Sequence, residues 1–200
     1  IGMDLHDGVI QSIYAVGLTL EYVNGLIGES DNSGASDRLK GAIDALNATI
    51  RDIRSYILDL RPRRFDGDNL IAGLRQLLAE FRANTLMEVE MHADPAADRA
   101  LVPEARLALF HIAQEALSNA AKHSNASRFE VKLLDEGGAV ILTLRDNGRG
   151  FKPAQVERSV GHGLRNMQDR TTAIGGRLIL NSSGGTGTEV QVRWPKRAGG

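Results

Sequence analysis

Five short stretches of this 200-residue chain carry side chains whose types and spacing could do chemistry. In EALSNAAKH, Glu115, Asn119 and His123 recur every four residues and so share one helix face, with Lys122 beside them. In DNGRGF, Asp146 ends a run of strand-forming residues and is followed by Gly148 and Gly150. A carboxylate there can accept a hydrogen bond from an exocyclic amine such as that of adenine, and glycines let the backbone come close to a ligand. In GHGLRN, Gly161 and Gly163 precede Leu164 at a helix start, where free N–H groups and the helix dipole attract phosphate. In GGTGTEV, Thr188 opens a strand and can offer its hydroxyl. In DLHDGVIQ, residues 4–11, His6 supplies an imidazole. Its unperturbed pKa near 6.5 leaves it largely neutral and nucleophilic at pH 7. Asp7 is its neighbour, and Gln11 lies one turn beyond Asp7 on the same face.

Singly, each stretch has an ordinary reading. Asn119 is a solvated amide, DNGRGF and GGTGTEV are turns, and DLHDGVIQ is helix surface. GHGLRN lacks the Gly-Lys-Ser/Thr of a P-loop and the βαβ unit of a dinucleotide fingerprint. The ordinary reading is strongest for Glu115, His111 and His123, and His92 and His162 need no role. Order and spacing make the difference, because the four C-terminal stretches follow one another within about 75 residues.

The elements that must position these groups fall into two parts. Leu5, Val9, Ile13, Val16, Leu20, Val23 and Ile27 mark one helical stripe, and Leu39, Ile43, Leu46, Ile50, Ile53, Ile57 and Leu60 a second. GESDNSGAS breaks them apart, and Pro62 stops the second. Two helices of about 25 residues, near 40 Å each, form an antiparallel hairpin over residues 1–62. One hairpin cannot cover both stripes, and pairing two gives a four-helix bundle, which predicts a homodimer. Residues 63–67 read as a linker. Over residues 68–195 the pattern is mixed. Helices are predicted at NLIAGLRQLLAEFRAN (capped by Asp68), PEARLALFHIAQEALSNAAKHS and GLRNMQDRTTAIGG, and strands at MEVEMHA, RFEVKLL, AVILTLR, RLILNSS and TEVQVRW. Val190, Val192 and Trp194 should face one way in the last strand. Hairpin-linked strands make this half an α+β sandwich with a mostly antiparallel sheet.

Composition narrows the classes. With 24 basic against 25 acidic side chains, a net charge of −1 gives no electrostatic footprint for nucleic acid. The absence of cysteine excludes a disulfide scaffold and a cysteine-ligated zinc site. No apolar run reaches the roughly 20 residues of a membrane span, and no signal peptide is visible. A cytoplasmic location is expected. The chain starts inside a helical pattern at Ile1, which suggests a piece of a longer protein whose sensory or membrane segments lie elsewhere.

The C-terminal series resembles the ATP-binding domain of the Bergerat superfamily of gyrase, Hsp90, histidine kinases and MutL. EALSNAAKH resembles its N box, DNGRG its G1 box and GHGLRN its G2 box. A helical hairpin with His-Asp-x-x-x-Gln before such a domain resembles a two-component sensor histidine kinase of the nitrate-sensor and DesK-like group. The usual run of residues before the H box is cut off at Ile1. The resemblance implies that His6 attacks the γ-phosphate of ATP, with Asp7 as base or orienting acceptor, and that Gln11 orients a water for dephosphorylating the partner. It implies that Asn119 holds Mg²⁺, that Glu115 holds a metal-bound water, and that Lys122 and His123 contact phosphate. Asp146 would accept the adenine amine, Gly148 and Gly150 would allow close approach, and Thr188 would offer its hydroxyl. Gly161 and Gly163 would hinge a lid formed by FKPAQVERSV, with Leu164 beside the nucleotide. The implied partner is a response regulator with a LuxR-type DNA-binding domain. Two other functions fit fewer residues. An ATPase without phosphotransfer has no use for DLHDGVIQ, and a scaffold that has lost catalysis has no use for Asn119 and Asp146.

Overall fold

The structure is a computed structural model that describes residues 13–23, 34–46, 49, 65–85, 87–151 and 162–196. The chain divides into two compact units, Ile1–Ile57 and Leu58–Gly200. His6, Asp7, Gln11, Gly161 and the expected lid over 151–160, except its first residue Phe151, lie outside the described residues.

In the first unit, α1 (13–23) and α2 (34–46) are helical. Val16 and Val23 on one, and Ala35, Ala42 and Thr49 on the other chain segment, are buried. Both sets repeat every seven residues, the spacing of a helix–helix seam. The Arg38 guanidinium lies 4.4 Å from the centre of the Tyr22 ring and closes this contact. The larger stripe residues are not in the seam. Ile13, Leu20, Leu39, Ile43 and Leu46 are 40–51% exposed.

The second unit is built from α3 (Leu70–Asn84), β1 (Glu88–Ala93), α4 (Pro95–Ala100), α5 (Pro103–Asn119), a π-helical turn (Ala120–Ser124), β2 (Arg128–Asp135), β3 (Ala139–Asp146), α6 (His162–Ala173), β4 (Arg177–Ser182) and β5 (Thr188–Pro195). The five strands run in the order β1-β2-β3-β5-β4. The pair β1–β2 is parallel, and the others are antiparallel. The parallel pair arises because α4, α5 and the π turn carry the chain back between β1 and β2. Alternation puts Phe129, Val131 and Leu133 of β2, Val140, Leu142 and Leu144 of β3, and Val190, Val192 and Trp194 of β5 on the core face, as the pattern of the last strand predicted. There they meet Leu70, Leu74 and Phe81 of α3, Leu109 and Ile112 of α5, and Met167 of α6.

Three local readings change. The first is the cap of α3, where Asn69 accepts from the Ala72 N–H at 2.8 Å in place of Asp68. Second, α4 was not read from the sequence at all. It starts at Pro95 behind an Asp94 cap and holds Asp98, which is buried. The carboxylate oxygens of Asp98 accept from the N–H groups of Leu70 and Ile71 at the start of α3, at 3.2 and 3.4 Å. Arg106 of α5 donates its Nε to Asp98 at 3.0 Å. A cap borrowed from 28 residues away has no local signature. Third, Phe65 and Gly67, inside the expected linker, pack on this unit. Phe65 stacks on Phe110 with ring centres 4.6 Å apart, and the Gly67 carbonyl accepts from Arg106.

Asp98→Ala should cost about 2 kcal/mol, because it takes the carboxylate from the part-buried Arg106 guanidinium and uncaps α3 together. Chemical denaturation checks this. A loss below about 1 kcal/mol, the level of an exposed pair, would contradict it.

Candidate nucleotide site

The candidate residues converge at one end of the sheet in the second unit. β3 ends in Asp146, which pairs with Thr188 at the start of β5. Above them lies the C-terminal end of α5. A cavity of about 490 Å³ opens between these elements and the start of α6. That is the size of a pocket for a ligand like a nucleotide. Glu115, Asn119, Lys122, His123, Asp146, Gly150, Gly163, Leu164 and Thr188 line it. Gly148 does not reach the wall, and Gly161 and residues 152–160 of the lid lie outside the described residues.

The helix that carries the amide is not regular to its end. After Asn119 it widens into a π turn. Ser124 holds this turn, because its hydroxyl donates to the Ala120 carbonyl at 2.7 Å and accepts from the Ala126 N–H at 3.0 Å. Asn125 then takes a left-handed conformation with φ 53° and ends the helix. The wider turn still keeps Lys122 and His123 at the cavity with Glu115 and Asn119. Such π turns concentrate at functional sites.

The walls sort by polarity. Ala116, Ala120, Phe129, Leu144, Met167 and Val190 form the apolar part of the wall, which also holds the buried Asp146 carboxylate. Burial pushes this carboxyl above the usual carboxylate range, while the Gly148 N–H, at 2.8 Å, and Thr188 act in the opposite direction by bonding the charged form. At the other end stand Asn119 and the basic groups Lys122, His123 and Arg149. Partial desolvation of the ring lowers the His123 pKa below 6.5, and the charges of Lys122 and Arg149 lower it further. Arg149 lies within DNGRG, whose spacing alone assigns it no role. The turn brings it to the cavity, because its N–H donates to the Ser124 carbonyl at 2.7 Å and its carbonyl accepts from Gly185.

The two glycines of DNGRG have a different reason from the one expected. A Cβ on Gly148 would lie 2.3 Å from the Ser124 carbonyl oxygen, and one on Gly150 (φ 60°) would lie 2.1 Å from that of Ser183. They are required by neighbouring backbone, which fixes the turn between the π helix and the β4–β5 hairpin. Asn147 adds to this by accepting from the N–H groups of Ser127 and Arg128.

A nucleoside triphosphate fits this donor set. The apolar end with one acceptor suits a flat base carrying an amine, and the cationic end suits phosphates. Among the described residues no three His, Asp or Glu side chains gather to hold an ion. One amide beside cations suits Mg²⁺ delivered with its phosphates, since that ion takes few protein ligands.

Residues 104–198 match the sequence profile of the histidine kinase-, DNA gyrase B- and HSP90-like ATPases, and residues 1–65 match that of a histidine kinase domain. The sensor histidine kinase MctS of Rhizobium johnstonii is 37% identical over 99% of this chain and 43% of its own length. LiaS, a sensor histidine kinase of Bacillus subtilis, is 33% identical over 98% of this chain and 53% of its own. UhpB of Salmonella typhimurium, a histidine-protein kinase/phosphatase, is 30% identical over 98% of this chain and 38% of its own. The chain thus spans about half the length of the relatives it matches. The histidine kinase domain of a blue-light activated kinase from Erythrobacter litoralis shares the fold, with a TM-score of 0.54 over 95% of this chain and 94% of that one at 17% identity. The C-terminal unit is therefore an ATP-binding domain, it follows a histidine kinase domain of the kind its relatives carry, and the chain belongs to the histidine kinase family.

Proposed function

We propose that this chain is the catalytic core of a sensor kinase of a two-component system, which phosphorylates itself on His6 from ATP and passes the phosphoryl group to an aspartate of a response regulator. The observation that carries the reading is the cavity with Asp146 at its apolar end and Asn119, Lys122, His123 and Arg149 at its cationic end. It belongs to a chain whose first 65 residues match a histidine kinase domain and hold DLHDGVIQ. In the transfer an imidazole nitrogen of His6 bonds to the γ-phosphorus, the bond to the bridging oxygen breaks and ADP leaves. Positioning and charge stabilisation are the main demands of such a step. Lys122, His123 and Arg149 offset phosphate charge, and Asp146 and Thr188 orient the base. Asn119 would hold Mg²⁺, which neutralises phosphate oxygens. Glu115 would hold a water or accept a proton. Asp7 supports His6, and Gln11 orients the water that removes phosphate from the regulator.

The exposed Ile13, Leu20, Leu39, Ile43 and Leu46 support a homodimer in which a second hairpin covers them. The regulator is proposed to carry a LuxR-type DNA-binding domain, so contact with nucleic acid is its task and not that of this chain. No described helix is long and apolar enough to cross a membrane. We place this core in the cytoplasm, with any membrane anchor in other segments of the protein.

Incubation with γ-labelled ATP tests the reading. Protein-bound label that is lost in acid and kept in alkali is expected. Phosphate release without bound label would make the chain an ATPase, and binding without either would make it a scaffold.

His123 gives a pH signature. Its pKa is lowered in the free protein, and a bound triphosphate raises it again by adding nearby negative charge. ATP binding then takes up a proton, so affinity rises as pH falls from the pKa of His123 in the complex toward its lowered value in the free protein. Calorimetry at pH 8 and pH 6 should show a larger gain for wild type than for His123→Ala. The same gain in both would remove His123 from the phosphate site.

A further inference from the structure

We propose that Gly163 is a positioning residue for Glu115, so that the second glycine of GHGLRN acts on the acid and not directly on the phosphates. A Cβ built on Gly163 would fall 2.1 Å from Oε1 of Glu115, 3.0 Å from its Cδ and 3.6 Å from its Cγ. These three atoms are the nearest to that point, and all belong to one side chain. The space that Gly163 leaves is thus taken by the end of the Glu115 side chain and by nothing else as close. The contrast with DNGRG is informative. A Cβ on Gly148 or Gly150 meets main-chain oxygens, so substitution there disturbs the fold itself. A Cβ on Gly163 meets the far end of a flexible side chain, which can swing away while the fold stays intact.

Glu115 stands between two cavities. It lines the main cavity one helical turn before Asn119. It also lines a smaller cavity of about 150 Å³ on its other side, with His111, Gln114, Ser118, Asn166 and Arg170. Met167 is common to both cavities, so Glu115 and Met167 form the wall between them. A methyl group at 163 would push the carboxylate along this wall, away from its place beside Asn119. The glycine therefore sets where a proton acceptor or water holder stands relative to the amide. It also lets the start of α6 lie against α5 with the carboxylate in between. The functional half of this inference rests on the reading of Glu115 given above.

The test is a cycle of four proteins: wild type, Gly163→Ala, Glu115→Ala and the double variant. Melting temperature is read without nucleotide, ATP affinity by calorimetry, and label uptake at saturating Mg-ATP. With Glu115 present, Gly163→Ala should lower the melting temperature. With Glu115→Ala it should raise it, because the crowding is gone and alanine is a better helix former than glycine. Gly163→Ala should slow labelling on the order of 10–100-fold, the cost of misplacing a group by about 1 Å. It should add no further loss of labelling or of ATP affinity to Glu115→Ala. Equal melting losses in both backgrounds would overturn the contact. Equal losses of ATP affinity in both would show that Gly163 serves the nucleotide directly and overturn the proposal. A wild-type labelling rate for Glu115→Ala would instead overturn the role of Glu115, and the melting cycle tells that failure from the first.

Discussion

Asp146→Asn is expected to weaken ATP binding about 10- to 150-fold, the loss of one hydrogen bond to a charged group of about 1.5–3 kcal/mol, while the fold stays at least as stable. The carboxylate already accepts from the Gly148 N–H at 2.8 Å and from Thr188. Its remaining acceptor capacity faces a cavity walled by Phe129, Leu144, Met167 and Val190. An amide in its place has one oxygen. If that oxygen keeps the Gly148 bond, the NH₂ points at the base and meets an amine donor with a donor. The same swap should favour a base that presents a carbonyl, so the ratio of ATP to GTP affinity should fall. The stability side follows from the raised carboxyl pKa. A buried acid with a folded-state pKa above its unfolded value destabilises the fold increasingly as pH rises from the unfolded value to the folded one, and the cost is complete above the latter. A neutral amide does not carry it. Calorimetry with both nucleotides, beside a melting curve, is the measurement. Unchanged ATP affinity would leave DNGRG as a turn and nothing more.

His6→Gln should bring label uptake from γ-labelled ATP to background while ATP affinity stays at the wild-type value. The nucleophile is removed, but the cavity lies wholly in residues of the second compact unit and keeps every wall. Gln11→Ala should show the opposite division. Gln11 is five residues from His6 and is not needed for attack on ATP, so labelling should remain near normal. Removal of phosphate from the regulator should be largely lost, because an amide that both donates and accepts can aim the attacking water. Each variant is run through both assays, label gained from ATP and label lost from the phosphorylated regulator. Labelling of His6→Gln at the wild-type level would move the acceptor elsewhere. Equal loss of both activities in Gln11→Ala would make it a packing or docking residue.

By itself the sequence determined the two-part plan, the five strands and the identity of half the residues that line the cavity. These depend on short-range regularities. The alternation of Val190, Val192 and Trp194 marks a face whatever the strand pairs with, and the spacing of Glu115 and Asn119 places both on one side of a helix before any packing. The strand order, with β5 between β3 and β4, belongs to tertiary structure, because hairpin signals specify neighbours but not which hairpin edges meet. So does the π turn at Ala120–Ser124, which depends on Ser124 bonding back into its own helix. Arg149 reaches the phosphate end only because Ser124 and Gly185 clamp its backbone. Asp98 caps a helix start 28 residues earlier in the chain, which no local pattern encodes. The glycines show the division most sharply. Their presence was legible as permission for a close approach, but what approaches is decided by the fold. For Gly148 and Gly150 it is neighbouring main chain, and for Gly163 it is the carboxylate of Glu115, because only folding brings those atoms into the space a side chain would fill.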